Sequence, residues 1–377
     1  MNKVGIITLS ASDNCGSLLQ TYALQQIVNK RYGYDVEIIN YISKQSKSIY
    51  DLFPYDFYKH PKKTLFTLRY LKSIMKQKVG YQEFRDNYLN MSSKIYSDIN
   101  ELMKLSNKYD FLITGSDQVW NTNMSDYSDA FFLPWKADAK KIAYAASLGA
   151  TQIFDEKKIT YIKRWLEDID NISVREETGR ATIQQLTKKE VKLTADPTLL
   201  LCREDWDNLI GERKIEEPYI FFYSWSYPNI DMNKLVQKFA SEMGLSVYVI
   251  NSSKWYKYRP EKFDFILFEE SGPSIFLNLM KYADYVFVQS FHGAVFANLL
   301  KKRFFFLNEK ENGQVDFRTK NIIDMLHEEK QVVHNYEDIR EAMYTKLVYT
   351  NQEYEEFIDK SFIFLDEAMA KLGDKYE

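Results

Sequence analysis

Apolar and polar positions along the chain follow two alternating periods. Short runs of β-branched and aromatic residues at 4–9, 35–41, 111–114, 141–146 and 172–175 read as strands. Between them, 18–32 and 155–168 carry the three-to-four-residue spacing of helices, and Gly33 is placed to end the first. Strand, helix, strand in this order calls for a parallel sheet with crossover helices. The stretch 192–201 closes this half and a polar connector follows at 203–218. The alternation then restarts with strands at 219–224, 246–251, 285–289 and 304–307. Helices are expected at 232–243, 275–282 (with Ser271 as N-cap) and 293–301. The pattern predicts an α/β protein of two Rossmann-like domains facing a cleft, residues 1–205 and 206–347. A last amphipathic helix within 348–377 presents Tyr354, Phe357, Ile358, Phe362, Phe364, Leu365 and Met369, and is expected to pack back on the first domain.

Composition narrows the function classes. The 377 residues are more than one core usually holds, which agrees with two domains. A net charge of −3 gives no field that would recruit nucleic acid. Two cysteines, Cys15 and Cys202, are too few for a disulfide framework or a thiolate zinc cluster. The chain enters a strand directly, without a leader-like pattern, and no apolar run reaches the ~20 residues needed to span a bilayer. A cytoplasmic setting is the expectation.

One segment departs from this balance. Residues 59–78 hold seven Lys/Arg and no acid, with Leu65, Leu68, Leu71 and Met75 along one helical face. This helical insertion, near 59–90, reads as a surface helix with a solvated basic side. The alternative is peripheral contact with the inner face of an anionic membrane, which suits a lipid-linked substrate.

Candidate chemistry sits in the turns that follow strands, where open α/β sheets bind ligands. Of four histidines, only His292 lies in such a turn, in Ser290-Phe291-His292-Gly293. It is either an acid/base or anion-contacting group, since an unperturbed imidazole titrates near pH 6.5, or a residue capping its own helix. After the first strand, Asn14 and Gly16 suit a turn with unusual backbone angles, Ser17 can cap a helix starting at Leu18, and Gln20 lies on that helix. Only one glycine is present there, so this is not a dinucleotide loop. Gly115-Ser116-Asp117-Gln118-Val119-Trp120-Asn121 offers hydrogen-bonding groups and an indole that either stacks on a sugar or is buried in the turn. Arg175, at another strand tip, either grips a carboxylate or phosphate or pairs with Glu176, Glu177 or Asp196. No acid cluster or His/Asp spacing calls for a metal, and no cofactor is expected.

In order, Asn14-x-Gly16-x-Leu18-Leu19-Gln20, Gly115-Ser116-Asp117-Gln118-Val119-Trp120-Asn121, Tyr144-Ala145-Ala146-Ser147-Leu148-Gly149, Ser173-Val174-Arg175-Glu176, Asp196-Pro197-Thr198, Gly272-Pro273 and Ser290-Phe291-His292-Gly293 resemble the polysaccharide pyruvyl transferase family. The resemblance implies a glycosyltransferase-B-like fold. It also implies transfer of a pyruvyl group from phosphoenolpyruvate to two hydroxyls of a sugar in a surface or capsular polysaccharide precursor, as a cyclic ketal. It makes His292 the catalytic residue and Arg175 a phosphoenolpyruvate ligand, joined by Ser290 and the Gly293 helix N-terminus. The sugar would lie on the first domain at Asn14, Gly16, Ser17, Gln20, Ser116, Asp117, Trp120 and Asn121. The sequence departs from the family in two places. Many members carry Arg where this chain has Phe291, and Arg318 is the candidate substitute; many carry an acid after Gly-Pro, where this chain has Ser274 and Ile275. Two rival readings are a nucleotide-sugar glycosyltransferase and a non-catalytic sugar-binding relative. The first usually places a carboxylate on the helix after the loop, and 291–302 has none.

Overall fold

The structure, a computed structural model, describes residues 1–53, 57–149, 155–224, 229–250, 256–257, 259–308 and 317–370. The first half comprises β1 (Lys3–Ile7), α1 (Cys15–Tyr32), β2 (Asp35–Ile38), α2 (Lys44–Tyr50), α3 (Pro61–Arg69), α4 (Leu71–Tyr88), α5 (Ile99–Leu102), β3 (Phe111–Thr114), β4 (Lys140–Ala146), α6 (Glu156–Glu167), β5 (Asn171–Val174), α7 (Glu177–Gln184) and β6 (Val191–Leu193). The second comprises α8 (Arg203–Ile210), β7 (Tyr219–Tyr223), α9 (Ile230–Met243), β8 (Ser246–Val249), β9 (Phe265–Leu267), α10 (Pro273–Tyr282), β10 (Tyr285–Val288), α11 (Phe291–Leu299), β11 (Phe304–Leu307), α12 (Phe317–Leu326), β12 (Val332–Val333), α13 (Tyr336–Tyr344) and α14 (Gln352–Met369).

Each half forms a six-stranded sheet, in the orders β2-β1-β3-β4-β5-β6 and β12-β11-β10-β7-β8-β9. All the neighbours pair in parallel, as the apolar runs require. Strands such as Tyr-Ile-Phe-Phe-Tyr in β7 are buried at every position because helices cover both faces. One core joins the halves: Tyr22 and Leu24 of α1, Trp206 of α8, Phe276 of α10 and Phe296 of α11 belong to a single apolar cluster. The last helix, α14, returns to the first half. Asp366 takes a two-pronged pair from Arg31 and a hydrogen bond from Tyr32, and the Ser361 hydroxyl accepts from the Ala195 N–H.

Three local readings change. The helix expected from Leu18 begins at Cys15, because Asn14 rather than Ser17 caps it, its Oδ1 accepting from the Gly16 and Ser17 N–H groups. The polar connector contains α8, started by a capping box between Cys202 and Asp205 and anchored by buried Trp206, Leu209 and Ile210. Helix α10 starts at Pro273 on Gly272 rather than on a Ser271 side chain. Gly272 lies against Gly80 of α4, where an added Cβ on Gly80 would come within 1.8 Å of the Ser271 carbonyl oxygen. Gly80 and Gly272 thus let the basic insertion pack closely against the second half.

Candidate functional site

Strand order reverses between β1 and β3 in one sheet and between β7 and β10 in the other. Crevices open at such switch points, beyond the carboxyl ends of the strands. The loops leaving β1, β3 and β10 carry Asn14–Gly16, Gly115–Asp117 and Ser290–His292, and these meet. His292, in the first turn of α11, lies against Gly16 of α1, where a Cβ would approach its Nδ1 to 2.2 Å. Only glycine allows that contact. On its other edge, His292 Nε2 is 3.6 Å from Asp196 Oδ2, and the side chain is 12% exposed. The imidazole therefore sits between the two halves, facing polar groups of the first.

Asp196 organises the surroundings. Its Oδ2 takes Arg175 Nη1 at 2.5 Å and the Ser116 hydroxyl at 3.1 Å, while Oδ1 accepts from the Thr198 N–H and hydroxyl. Burial alone would raise this carboxyl. His292, Arg175 and Thr198 overcome that effect and hold it well below the usual carboxylate range. Arg175 reaches Asp117 with Nη2 at 3.8 Å, and Asp117 accepts from the Ser17 hydroxyl at 2.5 Å. A polar chain thus runs from α1 through Asp117, Arg175 and Asp196 to His292. The Arg175 guanidinium lies 4.6 Å above the Phe291 ring. Its Nε and Nη2 have no hydrogen-bond partner among the described residues. Buried donors of this kind are what an anion would satisfy.

The expected site residues divide. His292, Arg175, Gly16, Ser17, Ser116 and Asp117 come together, with Asp196 as the hub. Trp120 is a correction: its indole is fully buried, stacked on Phe132 at 4.9 Å and donating to the Phe131 carbonyl, so no sugar can lie on it. Gln20 is buried as well, bridging Thr8, Ser17 and the Ser116 N–H, and it braces the two turns rather than lining a rim. The Ser290 hydroxyl accepts the Gly293 N–H, which removes that donor from anion binding. Asn14 likewise spends Oδ1 on its own helix. Asn121 donates to Gln118 at the turn's far end. Arg318 falls in the first turn of α12, and its side chain lies outside the described residues.

Two other features bear on chemistry. Cys15 opens α1, but burial pushes its thiol up to about 12, so it is not a thiolate nucleophile near neutrality. A cavity of about 390 Å³ adjoins Arg175 and Phe291 beneath α12 and α14. Its carboxylates Glu177, Asp196, Asp324, Glu353 and Glu356 outnumber its cations Arg175 and Lys360, so within this lining Arg175 and Lys360 are the groups that could meet an anion. Among the described residues no three His, Cys, Asp or Glu side chains converge as a metal site, and no helix is long and apolar enough to cross a membrane.

A family model described as polysaccharide pyruvyl transferase matches residues 14–311. No curated protein matches the chain. Among solved structures, the S. aureus MnaA–UDP co-structure aligns over 98% of both chains at 10% identity, with a TM-score of 0.54. A UDP-N-acetylglucosamine 2-epimerase from Rickettsia bellii aligns over 97% of this chain and 96% of its own at 11% identity and a TM-score of 0.54. A glycosyltransferase from Rickettsia africae ESF-5 aligns over 98% and 94% at 9% identity and a TM-score of 0.51. At such identities the likeness speaks for the fold alone, two Rossmann-like domains of the glycosyltransferase-B kind.

Proposed function

The chain belongs to the polysaccharide pyruvyl transferase family, a family of transferases, and from that premise we propose that it moves the pyruvyl group of phosphoenolpyruvate onto two hydroxyls of a sugar. The product is a cyclic ketal on a surface-polysaccharide precursor. The observation that carries this reading is His292 set between Gly16 and Asp196 at the meeting of two switch points, beside a guanidinium with unspent donors.

Phosphoenolpyruvate becomes electrophilic when its CH₂ carbon gains a proton. One sugar hydroxyl then attacks the central carbon, and the other replaces phosphate to close the ring. His292 supplies the proton, and the nearby Asp196 carboxylate offsets the imidazolium charge. Arg175 Nε and Nη2 take the donor's anionic oxygens. Ser17, Ser116 and Asp117 hold the first half's turns in register for the acceptor.

The test is phosphate release from phosphoenolpyruvate over a panel of sugar acceptors. His292→Ala should fold normally and lose about 10²–10⁴ in turnover. Near-normal turnover would remove His292 from the mechanism. Calorimetry adds a separate arm: tight UDP binding with none for phosphoenolpyruvate would favour a nucleotide-sugar transferase on this fold.

A further inference from the structure

We propose that the basic insertion docks on an anionic lipid membrane through the face of α3 that carries Leu65 and Leu68. Leu65 and Leu68 are 70% and 56% exposed, while Thr67, on the opposite side of the helix, is buried. Lys62 precedes Leu65 by three residues and Arg69 follows it by four, so both cations flank the leucines on one face. Tyr58 at the preceding turn, and Met75 on α4, are exposed too. Large exposed apolar side chains clustered in one segment mark an interaction surface.

Charge selects the partner. The whole chain carries −3, yet 59–78 carries seven cations and no acid. Lys76 and Lys78 are spent on Glu269 and Asp13, whereas Lys62, Lys63 and Arg69 have no ion pair among the described residues. A nucleic acid or acidic glycan would use these charges and leave the leucines wet. A bilayer of anionic lipid satisfies both, taking the cations at its headgroups and the leucines among its acyl chains.

The insertion is also wired to the site. Lys78 and Arg85 of α4 hold Asp13, and Arg85 donates to the carbonyls of Ser10, Ala11 and Ser12, the loop that leads into Asn14 and Gly16. A surface bound at α3 therefore engages the helix that runs directly into α4, the element that holds the β1–α1 loop. The inference does not depend on the pyruvyl-transfer reading.

Vesicle flotation of the full chain tests it, with phosphatidylglycerol-containing against pure phosphatidylcholine vesicles. Binding to the first only, lost at high salt, is expected. Lys62→Ser/Lys63→Ser should weaken it about 25-fold, about fivefold per cation. Leu65→Ser/Leu68→Ser should weaken it at least about tenfold, with circular dichroism melting unchanged because both sites are exposed. No flotation, equal binding to both vesicles, or wild-type binding by the leucine variant would overturn the proposal; the last would mark a contact made by charge alone, with no apolar insertion.

Discussion

Asp196→Asn removes one negative charge from the hub of the site and keeps the side chain's shape. The Asp196 side chain is fully buried and that of Arg175 only 3% exposed, so water does not screen the pair. Deleting one partner of such a pair strands the other charge and costs about 3–5 kcal/mol. Asn can still accept from Thr198 through Oδ1, so the turn at Pro197 should survive. Arg175→Met alone should cost a similar amount. The double variant strands neither member of this pair, although Asp117 still loses Arg175, and it should be more stable than the sum of the two losses by about 0.5–3 kcal/mol. Urea denaturation of all four proteins gives that cycle. The pH dependence supplies an independent check. Because the folded carboxyl is held far below its unfolded value of 3.8, the unfolded chain binds this proton more readily. The stabilisation is complete above the unfolded value and drains away as pH falls below it toward the folded one. Wild type should therefore lose stability below about pH 4 more steeply than Asp196→Asn. Additive losses in the cycle, together with parallel stability curves for the two proteins, would refute the account of Asp196 as an ionised hub.

Two further substitutions separate positioning from packing. Gly16→Ala places a methyl 2.2 Å from His292 Nδ1 and 2.6 Å from Cγ, so the ring must move. Turnover should fall about 100-fold while the fold persists, since displacement of about 1 Å costs that much; a fully active Gly16→Ala enzyme would show that the contact does not set the ring. Trp120→Ala should destabilise the first half by about 3–5 kcal/mol through loss of core packing on Phe132. At temperatures where it remains folded, its acceptor KM should match wild type, and a raised KM with unchanged stability would return the indole to the sugar site.

Much of the fold was legible because its signals are local. Runs such as Phe-Leu-Ile-Thr in β3 and Phe-Phe-Phe-Leu in β11 can be buried only as central parallel strands, and both begin and end where the pattern puts them. Elements with weak local patterns were not legible. Helix α8 sits in a charged stretch and owes its existence to Trp206 packing on Phe296 of α11, a contact across 90 residues that no window contains. The site followed the same rule. His292 and Arg175 stand out at strand ends, but the roles of Trp120, Gln20 and Ser290 depend on which way each side chain turns. A polar rim and a polar core brace have the same sequence. Asp196 was visible as one of three partners for Arg175 and within the Asp196-Pro197-Thr198 segment; its place between Arg175 and His292 arises when the second half folds onto the first.

Phe291 shows how a departure from a family pattern can be absorbed. It is 5% exposed, and its ring forms the floor under the Arg175 guanidinium. An arginine side chain placed there would meet a like charge in a dry site, whereas the aromatic face attracts the cation, by about 0.5–2 kcal/mol. Asp196 fixes one edge of the same guanidinium and Phe291 fixes its plane. Two constraints on a planar group leave little freedom of rotation, so Nε and Nη2 point in fixed directions before any ligand arrives. The exchange gives up one cation near His292 and gains a second restraint on the remaining one. Preorganisation of Arg175 is thus what this chain has in place of a second positive charge at position 291.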